Sequence, residues 1–210
     1  MQIEILFGIV ALVMSVVLHE VSHGYMANFL GDPTARYQGR LTLNPFKHLD
    51  PFGSVFLPVI LILTHSPLLF GWARPVPYNP YNLKRGGVWA EALVAGAGPA
   101  ANIGIAAALA LFLRVAEGFV SESVVALGFY IILVNVMLAL FNLLPIPPLD
   151  GSKILSVILP QPLLGQWERL RAQLEYNPLI GFAVVIIFVL LIGGALGSLV
   201  HWVAEALVGL

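Results

Sequence analysis

The sequence predicts an all-α polytopic membrane protein: about four transmembrane helices, a re-entrant or interfacial hairpin, and a short β-hairpin beside its ionisable cluster. Three observations carry this prediction. Of 210 residues, 59% are hydrophobic and only 10% charged, where an ordinary soluble domain has about 25% charged residues. Four apolar stretches reach the ~20 residues a helix needs to cross a hydrocarbon core. A fifth is shorter and carries Pro58 in its middle. A mean hydropathy of +0.92 excludes a water-soluble globule, a disordered chain and a collagen. Ten basic residues against eleven acidic leave a net charge of −1, so no nucleic acid or other polyelectrolyte is expected as a partner. The absence of Cys excludes disulfides, a thiol nucleophile and a Cys-ligated metal.

The elements follow in order. Ile5–Leu30 is the first span; Glu4 stands where a signal peptide would be basic, and no small-x-small site follows, so it reads as an uncleaved helix. Phe52–Leu63 is too short to cross, and it runs through Thr64-His65-Ser66-Pro67 to a second apolar patch ending at Trp72. That length reads as a hairpin that re-enters or lies in the interface. On either side, Arg36–Leu43 (RYQGRLTL) and Gly71–Tyr78 (GWARPVPY) alternate weakly between Gly and Pro boundaries, and are expected to pair as strands. Val88–Leu113, Val124–Leu144 and Ile180–Val200 are the remaining spans. Before the last, Leu163, Leu164, Trp167, Leu170 and Leu174 form one stripe opposite Glu168, Arg169, Arg171 and Glu175. This describes a helix lying in the interface or an amphipathic linker packed on the bundle. No internal repeat is evident, and residues 1–210 read as a single membrane domain.

Basic residues orient the chain. If Phe52–Trp72 does not cross, Arg36, Arg40, Lys47, Arg74, Lys84, Arg85, Lys153, Arg169 and Arg171 share one face, and only Arg114 lies opposite. The positive-inside rule makes the shared face cytoplasmic and the N-terminus external.

The chemistry begins in the first span. After Leu6–Leu18, whose only polar member is Ser15, the chain reads His19-Glu20-Val21-Ser22-His23. Histidines at i and i+4 lie one turn apart on one helical face, so both imidazoles reach a single ion. Zinc suits them, since it accepts a tetrahedral N/O set with an open fourth position. Glu20 lies beside that site, where it can take a proton from an attacking water. Three ionisable groups in a span cost ~2–3 kcal/mol each if unpaired, so a partner or a function holds them there. A hydrogen-bonded cluster joining helices is the bland alternative.

A zinc site needs a third protein ligand, for which His48, His65, His201 and the acidic residues near spans are candidates. After the third span the chain reads Asn142-Leu-Leu-Pro-Ile-Pro-Pro-Leu-Asp150-Gly151. Three prolines unwind the helix there, and Gly151 permits a sharp turn. Asp150 can then reach sideways to a metal, or simply cap the helix beginning at Ser152. His48, in an Asn-Pro-x-x-His turn, reads as a donor to a loop carbonyl, with a gating or supporting role as the alternative. Asn102 and Asn135 lie within spans, where interhelical hydrogen bonding is the default, and Asn102 can also orient the site. Gly96, Gly98 and Gly104 suggest close helix packing.

Together, His19-Glu-x-x-His23, Ala97-Gly98-Pro99-Ala100-Ala101-Asn102 and Asn142-Leu-Leu-Pro-Ile-Pro-Pro-Leu-Asp150-Gly151 resemble the site-2 protease family of intramembrane zinc metalloproteases. Gly39-Arg-Leu-Thr-Leu-Asn-Pro-Phe-Lys-His-Leu-Asp-Pro-Phe-Gly53 resembles its compact prokaryotic branch, without an inserted PDZ domain. The resemblance covers about two-thirds of the chain, from Val13 to Ile154. It implies one Zn²⁺ per chain held by His19, His23 and Asp150, with Glu20 as catalytic base and Asn142 contacting the substrate or the developing oxyanion. It also implies a transmembrane protein as substrate, cut in or near its span, and a prokaryotic inner-membrane location with the active site toward the cytoplasm.

Resemblance and topology agree. His19 lies ~21 Å along a helix starting near Ile5, close to its cytoplasmic end. Asp150 reaches that end only if two crossings separate them. A spanning Phe52–Trp72 would put it on the wrong face. The substrate must be held unwound, and strand addition to Arg36–Leu43 or Gly71–Tyr78 would do so. A metal transporter or a catalytically inactive membrane-protein binder could use the same cluster, but no inverted repeat supports the first, and an intact Glu20 speaks against the second.

Overall fold

Nothing between Gln2 and Leu30 opposes a helix, and the computed structural model carries α1 (Gln2–Leu30) straight through the ionisable cluster. The structure describes residues 2–64 and 71–209. Gly31, with φ of 114°, stops α1, and a single helical turn, Thr34–Tyr37, follows. Pro51–Phe56 winds as a π-helix into α2 (Leu57–Leu63). Next come α3 (Ala90–Val115), α4 (Glu122–Asn142), α5 (Asp150–Ile158), α6 (Gln161–Tyr176) and α7 (Pro178–Val208).

Among the described residues, four helices are long and apolar enough to cross a membrane: Leu6–Leu30, Gly87–Val115, Glu122–Asn142 and Leu179–Val208. These are the expected spans, with ends shifted by no more than two residues, the usual ambiguity of a helix end, except that the last helix continues eight residues past Val200. Helices α3, α4 and α7 pack around Ala106, Ala110, Leu113, Ile132, Val136, Leu196, Val200 and Ala204. Small residues on α3 bring the backbones close, which is how helices associate where lipid offers no hydrophobic drive.

The short apolar run begins and ends at one place. Trp72 N–H donates to Gly53 O at 3.2 Å and Ser54 Oγ donates to Trp72 O at 2.7 Å. Trp72 also stacks on Phe182 of α7, with ring centroids 4.4 Å apart. The two ends of the excursion are thus hydrogen-bonded together. His65, one of the candidate third ligands, lies outside the described residues.

The expected β-hairpin is not supported: no strand occurs among the described residues. Arg36 and Tyr37 belong to the helical turn instead, and Gly71–Tyr78 runs extended without a ladder. Its sequence explains why. Pro75 and Pro77 supply alternation but carry no N–H, and Arg74 N–H is spent on His48 O at 2.8 Å. The segment forms a strap laid over the end of α1. Asp32, fully buried, pins its far end by accepting from Asn79 N–H at 2.6 Å and Asn82 Nδ2 at 3.0 Å.

The amphipathic α6 packs on protein. Trp167 Nε1 donates to Ser152 O at 3.1 Å, and Arg171 pairs with Glu91 of α3 at 3.1 Å and with Glu168 at 3.0 Å.

Candidate metal centre

Ligand geometry starts from α1. His19 and His23, one turn apart and 5% and 8% exposed, present perpendicular rings with centroids 4.6 Å apart toward α3 and α5. Each ring is fixed at Nδ1. His19 Nδ1 lies 2.6 Å from Asn102 Oδ1 and His23 Nδ1 lies 2.7 Å from Val94 O. Val94 O can only accept, so His23 Nδ1 carries the proton. Asn102 spends its NH₂ on Ser15 O and on Asn135 Oδ1, at 3.3 and 2.8 Å, so its Oδ1 accepts from His19. Asn135 in turn donates to Ser15 Oγ at 3.0 Å, and neither asparagine has any exposed surface. Both Nε2 atoms therefore face inward as lone-pair donors to an ion.

The third group arrives from the unwound segment. Asp150 opens α5, but its side chain makes no cap; Leu149 occupies the cap position. Instead Asp150 Oδ2 lies 3.1 Å from His19 Nε2 and 3.3 Å from His23 Nε2. Gly151 does not turn the chain by a left-handed conformation. Its missing Cβ lets the start of α5 press on the carbonyls of Leu143 and Leu144, into which a Cβ would run.

These atoms fit a metal. The ligand atoms of His19, His23 and Asp150 all lie within 4.8 Å of one another. Two imidazole lone pairs and a carboxylate oxygen bring three acceptors together with no proton donor among them, which calls for a cation. Ligands ~2.0–2.1 Å from a tetrahedral zinc stand ~3.3 Å apart, close to the 3.1 and 3.3 Å between Asp150 Oδ2 and the two Nε2 atoms. Gly98 on α3 makes the room. A Cβ there would stand 2.5 Å from His23 Nε2 and 2.7 Å from His19 Cε1. Of the glycines read as packing residues, Gly98 alone does this; Gly104 has open space around it.

Glu20 faces the same space. A cavity of about 160 Å³ is lined by His19, Glu20, His23, Asn142, Asp150 and Lys153, among others. Glu20 Oε2 accepts from Val76 N–H at 2.9 Å, while Oε1 has no hydrogen bond among the described residues. Asn142 lines the cavity, though its Nδ2 donates to Leu138 O of its own helix at 2.9 Å. His48 is apart from this cluster; its Nε2 donates to Thr42 O at 2.9 Å, the structural role expected of it. His201 lines a separate apolar cavity with Leu12 and Met137.

Sequence reading passed over several residues here. Val76, Val94 and Arg40 act through backbone and loop contacts that no local pattern marks. Lys153 had a visible signal, three residues after Asp150 on one helical face. Its ammonium stands 5.3 Å from the Tyr78 ring centroid. Burial disfavours that charge, but Tyr78 and Asp150 outweigh it and hold Lys153 above the ordinary lysine range.

Comparison with known proteins adds an independent line. The model of peptidase family M50 matches residues 114–191, a stretch that contains the Asn142–Asp150 segment. The chain is 41% identical to the Bacillus subtilis protein named "Putative zinc metalloprotease YwhC", over 92% of this chain and 83% of that one. It is 32% identical to "Putative zinc metalloprotease Rip2" of Mycolicibacterium smegmatis, over 90% of this chain and 69% of that one. The Rip2 protein of Mycobacterium tuberculosis strain H37Rv is 29% identical, over 91% and 70% respectively. No solved structure matches the chain.

Proposed function

The chain belongs to peptidase family M50 and is an intramembrane zinc metalloprotease, and from that premise we propose that His19, His23 and Asp150 hold the ion while Glu20 is the general base. The observation that carries this assignment is the convergence of three acceptor atoms beside a free Glu20 oxygen in one cavity. Bound zinc supplies Lewis acidity toward a scissile carbonyl and makes water a usable nucleophile near neutral pH. The protein does the rest. Asn102 and Val94 O fix the imidazole tautomers. Val76 N–H holds one Glu20 oxygen, leaving Oε1 to take the proton of the attacking water and return it to the leaving amide nitrogen. Asn142 contacts the substrate, for which its amide turns off Leu138 O into the cavity.

Substrates are membrane proteins, since the site sits at the end of a span; the segment to be cut must first unwind to expose its amide. Residues 1–210 act as one membrane domain in the inner membrane, with the site toward the cytoplasm, a reading supported by nine of ten basic residues on that face. A transporter using the same cluster is not favoured, because the relatives are named as metalloproteases.

Asp150→Asn tests the ligand set. Asn keeps the size of the side chain and one carbonyl oxygen but loses the charge, so zinc is expected to weaken and cleavage of a transmembrane-segment substrate to stop. Wild-type cleavage in this variant would remove Asp150 from the site.

A further inference from the structure

The carboxylate read above as the general base is held from outside its own helix. Glu20 Oε2 takes the Val76 N–H at 2.9 Å, and Val76 lies in the extended strap over the end of α1. Because Pro75 and Pro77 have no N–H, Val76 carries the strap's one available donor at this point. The position of the strap therefore sets the orientation of Glu20.

What grips the strap here is Arg40. Its side chain crosses from the loop after the Thr34–Tyr37 turn, and its Nη2 donates to Arg74 O at 2.8 Å and to Pro75 O at 3.3 Å. These carbonyls belong to the two residues immediately before Val76. Arg40 is only 6% exposed, and its Nε has no partner. No carboxylate forms an ion pair with it among the described residues. Glu20 is near enough to act on the guanidinium through space but makes no ion pair with it, so burying this charge is costly, and an apolar side chain would fill such a space with less desolvation. What Arg supplies here is a single nitrogen, Nη2, at the end of a long side chain, whose two N–H groups reach two consecutive carbonyls.

We propose that Arg40 is a positioning residue for hydrolysis: by gripping Arg74 O and Pro75 O it fixes the Val76 N–H on Glu20 Oε2, and so aims Oε1 into the metal cavity. The inference rests on the reading of Glu20 as general base. A second residue reports on the same linkage from the other side. Gly24 lies one turn beyond Glu20 on α1, and a Cβ there would stand 2.7 Å from Val76 Cγ1 and 2.6 Å from Leu41 Cδ2. Val is stiff at χ1, so a methyl at Gly24 presses on the strap at Val76, and on Leu41 beside Arg40, while leaving the Arg40 side chain itself unchanged.

The test uses the full chain in proteoliposomes, with zinc content, kcat and KM measured on the best-cleaved member of a panel of transmembrane-segment peptides. Hydrogen exchange of the 71–79 segment is followed in parallel. Arg40→Met should keep full zinc and a KM within about twofold, while kcat falls about ten- to hundredfold, the loss expected when a catalytic group is misplaced by about 1 Å. Exchange across 71–79 should rise. Arg40→Lys should recover part of kcat, since an ammonium can still donate to one carbonyl. Gly24→Ala should reproduce the same split between kcat and KM with Arg40 intact, and it carries the test if Arg40→Met does not fold. Wild-type kcat in zinc-loaded Arg40→Met or Gly24→Ala would overturn the proposal. So would unchanged exchange across 71–79, or a loss of kcat that merely tracks lost zinc. Failure of the general-base reading would show separately, as an active Glu20→Gln protein.

Discussion

His19 Nδ1 and Asn102 Oδ1 lie 2.6 Å apart, and that bond decides which nitrogen of His19 is left to meet the proposed ion. The proton on Nδ1 leaves Nε2 with its lone pair toward Asp150. Asn102 is itself committed by its bonds to Ser15 O and Asn135 Oδ1. Asn102→Ala should therefore weaken zinc about 10–100-fold, the usual cost of losing such a supporting group. Chelator competition measures this; an unchanged affinity would mean that packing alone orients His19.

Gly98→Ala should do more harm than its single methyl suggests. The new Cβ would fall 2.5 Å from His23 Nε2 and 2.7 Å from His19 Cε1, and both rings are pinned at Nδ1, so neither yields freely. Zinc content of the purified variant is expected to fall well below one per chain while the four spans still insert. Normal zinc loading would show that α3 shifts to make room.

Asp32 gives a prediction with a pH sign. Burial raises its pKa, but hydrogen bonds from Thr34, Asn79 and Asn82 outweigh burial and lower it below the ordinary value. A depressed folded pKa means that the carboxylate stabilises the fold fully above the unfolded pKa of about 4, and loses that contribution as pH falls through the folded value. Asp32→Asn should cost about 1.5–3 kcal/mol at pH 7, the range for hydrogen bonds to a charged group, and the gap from wild type should narrow below about pH 4. Thermal unfolding in detergent across that range checks both. A gap independent of pH would mean that shape, not charge, is what the strap needs at Asp32.

The parts of this molecule that were legible in its sequence are those set by local physics. Span lengths follow from apolar length, and the His19–His23 pair from helical spacing. The displacement of Asp150 toward the first span follows from the prolines that unwind the chain before it. The strap was misread because Pro75 and Pro77 supply the alternation of a strand while deleting its donors. Its real partners, Glu20, Arg40 and Asp32, are 34 to 56 residues away in the chain. Distance also hid the docking of α6, since Arg171 meets Glu91 across 80 residues. The Asn102–His19 bond, 83 residues apart, was legible only as a polar group inside a span that needed a partner.

Hydrolysis as proposed here turns on Glu20 as the proton carrier beside an intact metal site, and Glu20→Gln isolates that role. Gln keeps a carbonyl oxygen to accept from Val76 N–H, so the strap keeps its seat and His19, His23 and Asp150 are untouched. Zinc content and cleavage of a transmembrane-segment substrate should be measured on the same proteoliposome preparation. Zinc is predicted at wild-type stoichiometry, with the cleavage rate reduced by about 10²–10⁴, the contribution of general acid–base catalysis. Cleavage at the wild-type rate by zinc-loaded Glu20→Gln protein would contradict the account.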